Sequence, residues 1–214
     1  MTATLDGDQA VCELSPDHKE DGAEFNRCGV LNVNKQFDGG GMLWLDDVII
    51  NGEREDFSGD PRWDAAGNRS AYETRNVRPR FDFGFTPTQH AGGKAAGELG
   101  GLFFRGDCRY SDRLAAYGDR LNPLTLARPL RASGKVCLRR GVSDSTTLLG
   151  FYHSAHSLAV NPSQKFATPK DFLGVAIEGP SGEGFYCYPV YRNQGGGTSS
   201  GMGANPPRIY PDGA

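Results

Sequence analysis

ASGKVCLRR (132–140), TTLLGFYHS (146–154), DFLGVAIEG (171–179) and GFYCYPVYR (184–192) are the four segments that decide the fold class. Each is rich in β-branched, aromatic and aliphatic residues, and each lies between clusters of Gly, Asp, Ser or Pro that favour turns. Short strands at this regular spacing mark an all-β sandwich or barrel. The last two segments flank PSGEG (180–184), which predicts a hairpin between them.

Working outward, RPRFDFGF (78–85) alternates Phe81, Phe83 and Phe85 against Asp82 and Gly84, a strand with one apolar face. LFFR (102–105) is a second strand, and the Gly- and Ala-rich run between them carries His90, Lys94 and Glu98. SDRLAAYGDRL (111–121) predicts a short helix with Ser111 as its cap, after which LTLARPL (124–130) returns to β structure. At the amino end, TATLDGDQAVCEL (2–14) reads as a hairpin turning at Asp6-Gly7. SPDHKEDGAEFNRCG (15–29) is a loop with one helical turn capped by Ser15. GVLNVN (29–34) and MLWLDDVIING (42–52) are strands expected to pair as a hairpin through KQFDGGG (35–41). Residues 51–76 are charged and poor in strand formers, a long connection, and 193–207 read as a low-complexity, mobile loop. RIYPDGA (208–214) ends on a turn signal with no strand.

These segments divide the chain into a hairpin unit (1–52), a linker (53–76) and a main β-sandwich unit (77–214). The main unit lacks a closing hairpin, and the first unit is little else. Either the chain is a fragment cut across two tandem repeats, or the first strands complete the sheets of the main unit. Unpaired sheet edges promote aggregation, which favours completion into one sandwich.

Composition narrows the function classes. Among 214 residues there are 30 Gly and 13 Pro, and no apolar run reaches the roughly 18 residues of a membrane span. The polar amino end predicts no signal peptide in this chain. The net charge of −3 is unevenly spread: residues 1–65 hold 15 acidic and 5 basic side chains, residues 104–140 hold 3 and 9. The two surfaces either form a recognition face or pair within the fold. A sequence pI near 5.8 with no basic-aromatic motif argues against nucleic acid. The five cysteines make no CxxC pair and read as buried free thiols, with a Cys12–Cys28 bridge as the alternative.

Gly29, Gly40, Trp44, Asp46, Asp47 and Val48 follow the pattern G-L/V-x-N…G-G…L-W-L-D-D-V, which resembles the last strands of lectin-like and jelly-roll sandwich modules. Over most of residues 29–212 the chain is similar to a group of uncharacterised, planctomycete-like bacterial proteins built from lectin-like β-sandwich repeats. The resemblance implies a concanavalin A-like jelly roll, an extracellular, periplasmic or cell-envelope location, and association with glycans.

A carbohydrate site needs aromatic faces for sugar C–H surfaces and planar polar groups for hydroxyls. The aromatic candidates are Trp44, Trp63, Tyr110, Tyr117, Tyr152, Tyr186 and Tyr188, and the polar ones Arg105, Asp107, Asn193 and Gln194. Trp63, in a polar loop, is expected to be the exposed stacking surface, whereas Trp44 and Phe81, Phe83, Phe85, Phe103 and Phe151 are expected in the core. The expected ligand set is Trp63, His90, Lys94, Glu98, Arg105, Asp107 and Tyr110. As a hydrolase the chain would need facing carboxylates, Glu98 with Asp82 or Asp107. As a lyase it would use His90 with Arg105 and Tyr110, because Tyr152 and His153 fall on opposite strand faces. His90, Glu98 and Asp107 are thus the catalytic candidates. Asp56, Asp60 and Asp64 recur every fourth residue, either as calcium ligands or as turn residues. His153 and His156 are expected to be split by a strand end and make at most half a zinc site. GGKAAGELGG (92–101) lacks the G-K-[ST] ending of a phosphate loop. The function read from these features is non-catalytic glycan binding by one module of a longer secreted protein, with no required cofactor. A polysaccharide hydrolase or lyase, or a structural repeat without ligand, are the alternatives.

Overall fold

A computed structural model describes residues 1–34, 39–69, 81–105, 114–141, 145–159, 168–179 and 184–211. They form an all-β, sandwich-like structure with one short helix. β1 (Thr2–Leu5) and β2 (Asp8–Val11) are a separate hairpin, turning at Asp6 and Gly7 with φ of 50° and 96°. α1 (Pro16–Glu20) follows, opened by Pro16 as expected of a first helical turn.

The smaller sheet has the order β10 (Ala132–Arg140), β4 (Gly39–Ile50), β8 (Glu98–Arg105), β7 (Asp82–Thr86), with β5 (Glu53–Glu55) also on β4. The larger runs β14 (Thr198–Ser200), β13 (Phe185–Arg192), β12 (Phe172–Glu178), β11 (Ser145–Tyr152), β3 (Glu24–Asn34), β9 (Leu114–Thr125), β6 (Asp64–Ala66). β15 (Arg208–Ile209) pairs with β13. All these pairings are antiparallel.

Burial follows the period of two. Leu43 and Leu45 of β4, Phe83 of β7 and Leu99 of β8 meet Val30, Phe151 and Ile177 of the larger sheet in one core. Phe83 stacks on Phe103 with centroids 4.1 Å apart. A second apolar cluster, with Leu31, Leu148, Tyr152, Phe172 and Tyr188, covers the opposite face of the larger sheet.

Several expectations are corrected. β3 and β4 do not pair as a hairpin: β3 joins the larger sheet and β4 the smaller, so the chain between them passes from one sheet to the other. Each of the two then lies between strands that follow residue 97 in the chain. Residues 53–69, assigned to a linker, supply β5, β6 and the buried side chains of Phe57 and Trp63; 70–76 lie outside the described residues. The helix expected at 111–121 is strand β9 from Leu114 onward, with Ala115 and Tyr117 facing the core; tertiary pairing on both edges overrides local helix preference. Within 193–209, Thr198–Ser200 and Arg208–Ile209 are edge strands on β13 rather than parts of a mobile loop or a strandless end. Cys12 and Cys28 are free thiols, and burial first, then the nearby Asp119 charge, pushes the Cys28 thiol above its usual range.

Candidate functional site

Residues 87–97 connect β7 to β8 and fold over the outer face of the smaller sheet. Glu98, fully buried at the start of β8, sits under this loop. Its Oε1 accepts from Thr88 Oγ1 at 2.5 Å and from the His90 N–H at 2.8 Å, and its Oε2 from the Ala91 N–H at 2.7 Å. The Gly97 N–H donates to the Thr88 carbonyl, and Gln89 Nε2 to the Gly93 carbonyl. Lys135 Nζ donates to the Gly92 carbonyl at 2.7 Å and pairs with Asp47 at 2.9 Å. Arg54 also pairs with Asp47, and these two cations hold the Asp47 carboxyl below its ordinary range.

Glycine is required where the loop meets the sheet. A Cβ at Gly100 would overlap the Trp44 indole, and one at Gly93 would overlap the Asp46 carboxylate. Trp44 and Asp46 are thereby buried on the outer face of β4, and the His90 ring lies on Trp44 with centroids 4.3 Å apart. Asp46 Oδ1 accepts from the Asp47 N–H at 2.6 Å while Oδ2 is buried without a partner. Burial raises the Asp46 carboxyl above its usual range, and the Asp47 and Glu98 charges add to the rise.

The residues singled out by sequence are distributed as follows. Glu98 is occupied by three donors of its own loop and touches no solvent. His90 is half-buried and Lys94 exposed. Trp63, expected on the surface, is corrected to the core: it is 8% exposed and packed between Phe57 and Tyr117. Its polar loop misled, because Asp60 and Arg62 point outward while the indole turns in. Tyr117, Tyr152 and Tyr188 are buried too, and Arg208 lies over the Tyr186 ring. Arg105 ends β8, its side chain lying outside what the structure describes, as do Asp107 and Tyr110 entirely. Asp82 is exposed and pairs with Arg69. Asp56 and Asp60 accept from the backbone N–H groups of Ser58 and Arg62, closing their own turns. Asp64 is held by Arg27 and Arg120, which keep it below the ordinary carboxylate range. Among the described residues, no three His, Cys, Asp or Glu side chains group as a metal ligand set.

A second polar cluster lies where β11 ends and β12 begins. The pairing of Tyr152 with Phe172 brings the loop after β11 beside Asp171. The Ser157 hydroxyl ties the two segments, donating toward the carbonyls of Lys170 and Asp171 at 2.6 and 2.9 Å. The His153 and His156 rings, expected apart, stack with centroids 4.0 Å apart and 16° between planes. The rings meet because the chain turns tightly here: the Ala155 and His156 N–H groups both donate to His153 Nδ1, and the Ser157 N–H to the His153 carbonyl. His153 Nδ1 therefore accepts, its proton sits on Nε2, and that edge faces Glu24 at 3.6 Å.

His156 has the opposite polarity. Its Nδ1 lies 2.6 Å from Oδ2 of Asp171, an acceptor-only carboxylate, so Nδ1 carries the proton and Nε2 offers a lone pair. The Asp171 side chain is 2% exposed and that of His156 38%. Asp171 takes a left-handed backbone conformation with φ of 48°, and its Oδ1 is buried without a partner. The Gln194 amide nitrogen approaches His156 Nε2 at 3.4 Å from the loop after β13. Burial, then the His156 charge, lowers the affinity of His153 for a proton. Gln194 was among the polar candidates read from sequence and His156 was weighed only as half a zinc site; Asp171 was not singled out, since only strand pairing reveals its contact with His156. Searches against protein-family models, curated proteins and solved structures find no match.

Proposed function

We propose that this chain is a non-catalytic glycan-recognition module of jelly-roll, concanavalin-like type, acting outside the cytoplasm through the patch formed by Glu24, His153, His156 and Gln194. The observation that carries the reading is the set of planar polar groups held in place by a buried carboxylate: Asp171 fixes His156 at 2.6 Å, and Gln194 and Glu24 flank the two stacked rings. Sugar hydroxyls are bound by such groups when their orientation is set beforehand. The imidazole pair supplies a small aromatic surface beside them. The resemblance to lectin-like repeats agrees with this reading, and the basic strip favours acidic polysaccharides. Arg120 and Lys135 of that strip are paired with Asp64 and Asp47, so its remaining cations would supply the preference.

Affinity electrophoresis in gels containing neutral, sulfated or uronic polysaccharides tests the proposal. Retarded migration is expected, lost in His156→Ala and Gln194→Ala variants of unchanged fold. Migration unaffected by every glycan counts against it.

One observation favours a second reading, an enzyme acting on polysaccharide. An aspartate on Nδ1, with the Nε2 lone pair met by the amide of the exposed Gln194, is the arrangement of a general base, and here it is half-exposed. In that case reducing ends or unsaturated products would accumulate, and His156→Ala would stop their release. Glu98 is unsuited to the acid role because its oxygens serve the loop.

A further inference from the structure

Four glycines stand in one line across the larger sheet: Gly118 of β9 pairs with Gly29 of β3, Gly29 with Gly150 of β11, and Gly150 with Gly174 of β12. None has room for a side chain. A Cβ on Gly29 would overlap the Tyr117 carbonyl, and one on Gly150 the Leu173 carbonyl. On the outer face the Tyr152 hydroxyl and the Phe172 ring close over Gly118 and Gly174. Toward the other sheet, Gly29 and Gly150 line a cavity of about 200 Å³.

The rest of its wall comes from both sheets and from the first hairpin. Leu45, Leu99 and Val136 face Leu149, Val175 and Ile177, with Ala3 of β1 closing one side. Thr4, Ser133 and Gly134 line the cavity and are also exposed, so the space reaches the surface there, past two hydroxyl side chains. An apolar cavity of roughly 150 Å³ suffices to hold benzene or xenon and stays free of water. This one exceeds that, and its glycine floor cannot be filled by adding a side chain without breaking strand pairing.

We propose that the inter-sheet cavity is a binding site for the hydrocarbon end of a small amphiphile, whose polar end sits at Thr4 and Ser133. The proposal is independent of glycan recognition, since the cavity shares no residue with the His156 patch. An apolar wall supplies affinity in proportion to the hydrocarbon surface it covers, and the two hydroxyls set which end enters. Trp63 lines the same cavity and gives it an optical signal.

The test is a titration of the full chain with bromobenzene and, separately, with hexanoate, read by Tm and by tryptophan fluorescence. Both probes are expected to raise Tm, and the heavy atom of bromobenzene to quench Trp63. Val136→Phe and Ala3→Phe, which fill the space from different walls, are expected to weaken both effects at least tenfold in apparent affinity. Ala3 belongs to the first hairpin, so its variant reports even where the Val136 change prevents folding. No rise in Tm with either probe, or effects that persist unchanged in the filled variants, would overturn the proposal. A shift with bromobenzene and none with hexanoate would overturn the amphiphile assignment.

Discussion

Two buried carboxylates, one opening a strand of the smaller sheet and one just before a strand of the larger, have opposite surroundings. Glu98 of the smaller sheet receives three donors from its own loop, two of them backbone N–H groups, and is sealed from solvent. Asp171, beside the start of β12, spends one oxygen on the half-exposed ring of His156 and leaves the other buried without a partner. A carboxylate satisfied by its own backbone fixes local structure. One that holds a surface imidazole in a single tautomer prepares that imidazole to meet something outside. On this comparison the Gly-rich loop is architecture, and the His156 patch is the proposed recognition site.

The largest expected effect is at Glu98. Glu98→Ala leaves three donors beneath the loop unpaired, and a loss of about 3–5 kcal/mol in urea unfolding is expected. A loss below about 1 kcal/mol would break the architectural half of the comparison. Gly100→Ala should cost less, about 1–3 kcal/mol, because Trp44 has to move. Its measurement is again urea unfolding, with the His90 ring signals in NMR reporting the displaced indole.

Asp171→Asn should leave stability within about 1 kcal/mol of the parent, because a buried charge with an unpaired oxygen is removed and Asn tolerates the left-handed backbone. The same variant should weaken glycan retardation at least tenfold, since the tautomer of His156 is no longer enforced. Retardation should also fade as the pH drops below about 6.5, the ordinary histidine value. A proton added to His153 goes to Nδ1, which accepts two backbone N–H groups of the turn, and burial already disfavours a charged His153.

Asp46 provides a subtler pH test. Its folded-state affinity for a proton is raised by burial, so its stability contribution is full below the ordinary value of 3.8 and is lost as the pH rises through its elevated range. Asp47 and Asp64 are lowered, so their contributions are present above 3.8 and lost on acidification. Asp46→Asn should therefore match the parent most closely at low pH and gain on it as the pH rises. At the small end, Lys94→Ala should change stability by less than about 0.5 kcal/mol and leave glycan retardation intact.

How much of this was legible in sequence depends on how local each feature is. The strands at 132–192, the Asp6-Gly7 hairpin and the β7 alternation carry their own signals in period and turn residues. The helix expected around Ala115 failed because its two alanines are held as strand by partners fifty or more residues away. Pairing of β3 with β9 and β11 could not be read from adjacent residues, so a sheet crossing passed for a hairpin. Trp63 shows the same limit: a polar neighbourhood says nothing about which side of the chain meets the core. The glycine line was half visible: Gly150 and Gly174 stand isolated inside apolar strand segments, a pattern that marks close backbone approach, whereas Gly118 fell in a stretch that reads as helix and Gly29 at a strand's start. That the four align required the register. Asp171 and His156 are fifteen residues apart with nothing in their spacing to join them, and only the Tyr152–Phe172 pairing does so.

The most direct test runs two variants side by side, His156→Ala and Glu98→Gln, in affinity electrophoresis against a uronic polysaccharide at a temperature where both are folded. The account predicts that His156→Ala migrates freely although folded, having lost stability because Asp171 is left unpaired, while Glu98→Gln is also less stable yet still retarded. Retardation lost in Glu98→Gln and kept in His156→Ala would contradict it.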